Sequence, residues 1–126
     1  MFNLFGSTMN SGPQLDPSEV VRQVTAGEAL LVDVREEDEV KFGGKAKGSL
    51  NLPLSRLHLS ADPKSGHFDK RLAQAQKAKQ PVYLYCASGA RSSRAAGLMR
   101  NNGFDEVHNL GNLSAWNAGG GALIRG

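Results

Sequence analysis

Short apolar runs alternate with helical patterns along the sequence, and this order constrains the fold more than any other feature. The runs at residues 29–32, 82–85 and 107–110 have the length of strands. The run at residues 29–32 is apolar throughout, rather than at every second position, and therefore indicates a strand that is buried on both faces. Strands that alternate with helices predict an α/β fold, with a central, mostly parallel sheet flanked by helices.

Helical patterns lie before, between and after these strands. A helix is expected to begin at Asp16 to Glu19, where Asp16 or Ser18 can cap it, and to end at Gly27. Further helices are predicted over residues 36–42, 68–79, 91–102 and 113–118, and residues 60–67 read as a loop. Apolar spacing assigns these side chains to buried helix faces: Leu72, Ala75, Ala78, Ala95, Leu98, Met99 and Trp116.

The length and the charge of the chain limit its organisation and its partners. A chain of 126 residues suits one domain, predicted over residues 18–126, preceded by a loose arm at residues 1–17. The net charge of +3 falls short of a nucleic-acid-binding surface. No apolar run is long enough for a membrane span, and the first residues do not resemble a secretory signal. We therefore expect a cytoplasmic protein that binds neither nucleic acid nor membrane.

The cysteine and histidine content argues against a metal site. Cys86 is the only cysteine, which excludes an internal disulfide and a zinc site built on several cysteines. His58, His67 and His108 lie far apart in the sequence and are expected to be surface or structural residues. No cofactor and no bound metal are expected.

The single cysteine directly follows a predicted strand and opens a loop of small residues. In open α/β sheets, ligands bind at the carboxyl ends of strands, which is where Cys86 is expected. Gly89 lets the loop curl so that its N–H groups and those of the next helix face one point, and Arg91 and Arg94 add positive charge. Such a site would ionise the thiol and hold an anion against it. The alternative is a buried, unreactive thiol.

Two further groups of polar residues lie at predicted strand ends or loops. Arg35 follows the first strand together with Asp33, and it either binds an anion or forms an Asp–Arg network that fixes loops. Ser92 is expected to donate a hydrogen bond to the loop or to the helix end. Lys45 and Lys47 are expected to be solvated, although they could add positive potential near the loop.

Four segments, in order, resemble the motifs of the rhodanese-like sulfurtransferases. They are residues 30–35 (LLVDVR), 48–53 (GSLNLP), 82–92 (VYLYCASGARS) and 110–116 (LGNLSAW). The resemblance runs from about residue 18 to the last residue. It implies a single rhodanese-like domain, with a parallel sheet of about five strands.

The resemblance also implies a two-step reaction. The Cys86 thiolate would attack the outer sulfur of a small anionic donor such as thiosulfate, releasing sulfite and leaving a persulfide on Cys86. An acceptor such as cyanide or a thiol, including a protein thiol, would then take this sulfur. The substrate-binding residues implied by the resemblance are the loop residues Ala87, Ser88, Gly89, Ala90 and Arg91, whose N–H groups would cradle the persulfide. The side chain of Arg91 would steady the loop or the anion.

Two other functions remain open. Cysteine phosphatases and arsenate reductases also use a cysteine in an anion-binding loop, but with five residues between Cys and Arg, whereas four separate Cys86 from Arg91. The shorter loop fits the terminal sulfur of a persulfide better than a tetrahedral oxyanion. A non-enzymatic or sulfur-delivery module of the same fold is the other alternative, and such modules often lack the loop cysteine. The oligomeric state stays undetermined.

Overall fold

A computed structural model of the chain describes residues 15–126. Of the predicted arm at residues 1–17, residues 1–14 lie outside the described part. The first helix begins at Pro17. The helices are α1 (Pro17–Thr25), α2 (Glu37–Gly43), α3 (Leu54–Ser60), α4 (Lys70–Ala78), α5 (Ala90–Asn101) and α6 (Leu113–Ala118). The strands are β1 (Leu30–Asp33), β2 (Lys45–Ala46), β3 (Leu50–Asn51), β4 (Val82–Tyr85), β5 (Val107–Gly111) and β6 (Leu123–Ile124).

The central sheet has the strand order β3-β1-β4-β5, and all of its pairings are parallel. This confirms the predicted α/β fold. Within residues 15–126 this sheet has four strands where about five were expected, and β2 and β6 form a separate antiparallel pair. A register shift between β4 and β5 sets Leu84 opposite Asn109 but Tyr85 opposite Gly111. This irregularity lies beside Cys86, at the carboxyl ends of both strands.

Apolar side chains cover both faces of the sheet. One cluster joins Val32, Leu84 and Cys86 to α3, α4 and α5, and the other joins Leu31 and Tyr85 to α1 and α6. Trp116 of α6 is 2% exposed, as its inward position predicted, and its Nε1 donates to the carbonyl oxygen of Ala122 at 2.8 Å. The sheet is therefore enclosed by helices, and its strand ends are held in place from both sides.

The local predictions needed three corrections. Helix α3 was not predicted; seven residues form a marginal helix alone, and Leu57, fully buried in the core, holds it in place. Helix α4 begins at Lys70 rather than residue 68, because the Asp69 carboxylate caps it by accepting from two backbone N–H groups. Ala78 is exposed and Leu98 is only partly buried. Within residues 15–126, no helix is long and apolar enough to cross a membrane.

Candidate active site

Cys86 immediately follows β4, at the carboxyl end of the central sheet. Its backbone N–H donates to the carbonyl oxygen of Gly111 on β5 at 3.0 Å, and this hydrogen bond ties the end of β4 to the end of β5. The residue is only 1% exposed and lies at the edge of the apolar core. Burial of this kind fits either a structural thiol or a shielded nucleophile, so the groups around the sulfur decide between them.

The loop after Cys86 folds back over the sulfur. Gly89 has a φ of +98°, a left-handed conformation that a glycine adopts without the steric cost that other residues incur. This turn places the Gly89 N–H 3.0 Å from the Cys86 Sγ, where it donates a hydrogen bond, and α5 begins one residue later. The first N–H groups of α5, which have no partner within the helix, and its positive dipole end therefore lie beside the thiol.

Hydrogen bonds to the sulfur stabilise its ionised form. Burial is the largest single influence and acts to raise the Cys86 pKa. Hydrogen bonds from the Ser92 hydroxyl and from the backbone of Ser92, Gly89 and Ser88 outweigh it, so the pKa falls from the ordinary 9.0 to about 7. At neutral pH a large share of Cys86 is thiolate, which is the nucleophilic form of cysteine. This combination favours the nucleophile over the unreactive thiol.

Asn109 on β5 holds this arrangement together, and sequence reasoning missed it. Its Oδ1 accepts from the Ser92 hydroxyl at 2.6 Å and from the Gly111 N–H at 3.0 Å, while its Nδ2 donates to the Gly89 carbonyl oxygen at 2.9 Å. The Ser92 hydroxyl also lies 3.4 Å from the Cys86 Sγ. One amide thus links the loop, the first turn of α5 and the end of β5. Its position near the end of the predicted strand at residues 107–110 was the available signal.

Arg91, in the first turn of α5, is bound to a carboxylate of another helix. Its guanidinium donates twice to Glu39 of α2, over 2.5 and 2.8 Å. The hydrogen bonds from Arg91 are the main reason that the Glu39 pKa falls to about 2. Arg91 therefore anchors the loop to α2, and its charge is largely balanced, whereas Arg94 is exposed on α5.

Asp33 and Arg35 form the buried network that was one of the two expectations for them. Arg35 Nη2 donates to Asp33 Oδ2 at 2.7 Å and to the Gly44 carbonyl oxygen at 2.6 Å. Hydrogen bonds to Asp33 raise the pKa of Arg35, and both side chains are at least nine-tenths buried. Arg35 thus holds the end of β1 to the turn after α2, and its charge is balanced by Asp33.

The remaining polar residues singled out in the sequence lie away from the thiol or on the surface. His58 and His67 are exposed, and the His108 ring packs 5.6 Å from the ring of Tyr83. Lys47 is exposed as expected, whereas Lys45 is half-buried in β2. Among residues 15–126, no group of three or more His, Cys, Asp or Glu side chains is placed to hold a metal ion.

The fold and the site together define a class, namely α/β domains that present one cysteine in a loop of converging N–H groups. Residues 16–119 match the rhodanese-like domain family. The chain belongs to that family, which supports a sulfurtransferase-type enzyme at the family level.

Three similar proteins illustrate the range of the family. The uncharacterized protein YqhL of Bacillus subtilis is 39% identical over 89 residues, which are 70% of this chain and 60% of YqhL. The human single-domain sulfurtransferase TSTD1 is 27% identical, with a TM-score of 0.58 over 79% of this chain and 88% of its own. A Rhodopseudomonas palustris protein of unknown function, named as a possible tyrosine phosphatase, is 25% identical. Its TM-score is 0.71 over 86% of this chain and 81% of its own.

Proposed function

We propose that this protein is a thiosulfate sulfurtransferase that carries sulfur as a persulfide on Cys86. The observation that carries the proposal is the convergence of the Gly89 N–H and the Ser92 hydroxyl on a sulfur whose pKa is lowered to about 7. The same donors that stabilise a thiolate can stabilise a persulfide anion, which has a terminal sulfur of the same charge. The name of the human relative adds support at the family level.

The first step loads the sulfur. The Cys86 thiolate attacks the outer sulfur of thiosulfate, a new S–S bond forms, and the S–S bond of thiosulfate breaks. Sulfite leaves as a dianion with the electron pair of that bond, and the terminal sulfur of the persulfide keeps the negative charge that it carried in thiosulfate. No general base is needed, because the site already favours the ionised thiol.

The second step unloads the sulfur. Cyanide or a thiolate attacks the terminal sulfur, the Cys86–sulfur bond breaks, and its electron pair returns to Cys86 as the thiolate. The products are thiocyanate or a persulfide of the acceptor. Since Cys86 is the only cysteine of the chain, no other thiol of the same chain can receive this sulfur, so the acceptor is an external molecule.

The site residues have distinct roles in this scheme. Cys86 is the catalytic nucleophile, and the loop residues Ala87, Ser88, Gly89, Ala90 and Arg91 bind the donor and the persulfide through backbone N–H groups. The Arg91 side chain steadies the loop through Glu39 rather than contacting the anion, as their paired hydrogen bonds support. Neither a metal nor a cofactor takes part. A cytoplasmic location suits the free thiol, which stays reduced there.

Intact mass measurement after incubation with thiosulfate tests the proposal directly. The wild-type chain should gain the mass of one sulfur atom, about 32 Da, and cyanide should remove it. Cys86→Ser should show no gain. Ser93→Ala, at an exposed position of α5 outside the loop, is the matched control and should still load sulfur.

Two outcomes would contradict the proposal. The absence of any adduct at excess thiosulfate, in a chain whose thiol still reacts with iodoacetamide, would exclude thiosulfate as a donor. Hydrolysis of an aryl phosphate that Cys86→Ser abolishes would instead support the phosphatase alternative. Four residues separate Cys86 from Arg91, where phosphatases have five, so we expect no such hydrolysis.

A further inference from the structure

Most of the large apolar side chains exposed among residues 15–126 surround one concavity. Phe42 of α2 is 83% exposed, and Leu123 and Ile124 of β6 are 50% and 42% exposed. All three line a concavity of about 650 Å³. Leu59 of α3, exposed by 38%, is the other large apolar side chain exposed in this part of the chain. Exposed apolar side chains gathered in this way are typical of interaction surfaces.

The charged side chains that line the concavity are all cationic. Lys41, Lys45 and Arg125 line it, and no acidic side chain does. The Lys41 ammonium lies 5.9 Å from the centre of the Phe42 ring, so positive charge reaches the apolar surface itself. A partner that fits this surface combines an apolar side chain with flanking carboxylates, since complementary charges determine which partners associate.

Two short stretches of the chain connect the concavity to the candidate active site. Phe42 lies three residues after Glu39 on α2, and Glu39 binds Arg91 at the end of the Cys86 loop. Leu113, which also lines the concavity, comes two residues after Gly111, whose carbonyl oxygen accepts from the Cys86 N–H. Residues that line the concavity are therefore two or three positions along the chain from residues that contact the Cys86 loop.

We propose that this concavity docks an acidic segment of a partner protein that carries the accepting thiol. An apolar side chain of the segment packs against Phe42, Leu123 and Ile124, while its carboxylates face Lys41, Lys45 and Arg125. The role of the thiol rests on the proposed sulfur transfer, whereas the docking does not. In the transfer, the partner's thiolate forms a bond to the terminal sulfur of the Cys86 persulfide, and Cys86 leaves as the thiolate.

Two synthetic peptides test the proposal against the full chain. The first places Leu-Cys-Phe between pairs of Asp and Glu residues, and the second replaces each acidic residue with Lys. Sulfur transfer from the thiosulfate-loaded protein is followed by the masses of protein and peptide. The acidic peptide should accept sulfur at least about tenfold faster at low ionic strength, and the difference should shrink at about 0.5 M salt.

Two substitutions separate the concavity from the rest of the surface. Phe42→Ser should slow transfer to the acidic peptide toward the rate of the basic one, without changing transfer to cyanide; part of the difference should remain because Lys41, Lys45 and Arg125 are still present. Leu59→Ser removes an exposed leucine that lies outside the concavity and should change neither rate. Equal rates for the two peptides, or an unaffected Phe42→Ser variant, would overturn the proposal.

A binding experiment keeps this proposal distinct from the proposed function. A fluorescent form of the acidic peptide with Ser in place of Cys should bind the unloaded protein, as measured by anisotropy, whether or not thiosulfate loads Cys86. Failure to bind overturns the docking alone, and failure to load overturns the sulfur transfer alone. With p-benzoylphenylalanine in place of Phe42, a cross-link to the peptide supports docking. A cross-link to a second copy, or to residues 1–14 of the same chain, would overturn it.

Discussion

Replacing Ser92 with alanine tests whether hydrogen bonds ionise the Cys86 thiol. The Ser92 hydroxyl lies 3.4 Å from Sγ and 2.6 Å from the Asn109 Oδ1. Because a hydroxyl has one proton, the amide oxygen holds it while the sulfur is neutral, and the proton turns to the sulfur when the thiol ionises. Alanine removes this donor but leaves the Gly89 N–H at 3.0 Å. The thiol pKa should therefore rise without returning fully to 9.0.

The size of the effect follows from the geometry. A hydrogen bond to a charged group contributes roughly 1.5–3 kcal/mol, and the 3.4 Å distance and the competing amide place this one at or below the lower limit. About 1.4 kcal/mol corresponds to about one pKa unit. With a wild-type pKa of about 7, the thiolate fraction at pH 7 falls from about one half to about one tenth. Alkylation at pH 7 should slow about fivefold.

The rate of iodoacetamide alkylation between about pH 5 and pH 10 measures this pKa. Cys86 is the only cysteine, so intact mass reports a single adduct. The rate of the variant should match the wild-type rate at high pH, where both thiols are ionised, and fall behind near pH 7. Ser93→Ala, at the exposed next position of α5, should leave the midpoint unchanged. A Ser92→Ala midpoint within about 0.2 units of wild type would refute the role assigned to the hydroxyl.

Three other predictions concern ionic groups. Folding lowers the pKa of Cys86 from 9.0 to about 7, so its stabilisation is complete above pH 9 and is lost as the pH falls through 7. In urea titrations, the difference in unfolding free energy between wild type and Cys86→Ser should therefore shift in favour of wild type by on the order of 2 kcal/mol from pH 6 to pH 10. A difference that does not change with pH would contradict this. Glu39→Gln leaves the Arg91 charge unbalanced beside the loop, so the KM for thiosulfate should fall a few-fold at low salt only, and an unchanged KM would contradict this. Arg35→Ala leaves a buried carboxylate unpaired and should cost about 3–5 kcal/mol in unfolding free energy. Arg56→Ala, in an exposed ion pair, should cost under about 1 kcal/mol, and equal losses would contradict the comparison.

The central part of the site could be predicted from the sequence because it is local. An apolar strand, a cysteine at its end, a glycine three residues on and a following helix lie within 20 residues, and short-range geometry brings them together. The Gly89 N–H reaches the sulfur because its own backbone turns, so no distant residue is needed to explain that contact. The same locality explains why β1, β4 and β5 could be predicted as strands.

The groups that tune the site come from distant parts of the chain. Glu39 is 52 residues from Arg91, and Asn109 is 17 residues from Ser92. Whether Arg91 faces an anion or a carboxylate depends on where α2 packs, which the local pattern does not specify. The sequence left two interpretations of Arg35 open for the same reason. The Gly44 carbonyl oxygen, which accepts from Arg35, belongs to the turn after α2, and the local pattern does not specify where that turn packs.

The sequence by itself determined the α/β class, the parallel sheet and the place of Cys86 at a strand end, because hydrophobic period and turn residues act over short distances. Tertiary structure alone decided that the charge of Arg91 is balanced by Glu39. It also decided that Asn109 ties the loop to β5, and that Phe42 and β6 line one concavity with three cationic side chains. Each of these contacts joins elements far apart in the chain, and only the packing of helices on the sheet brings such elements together.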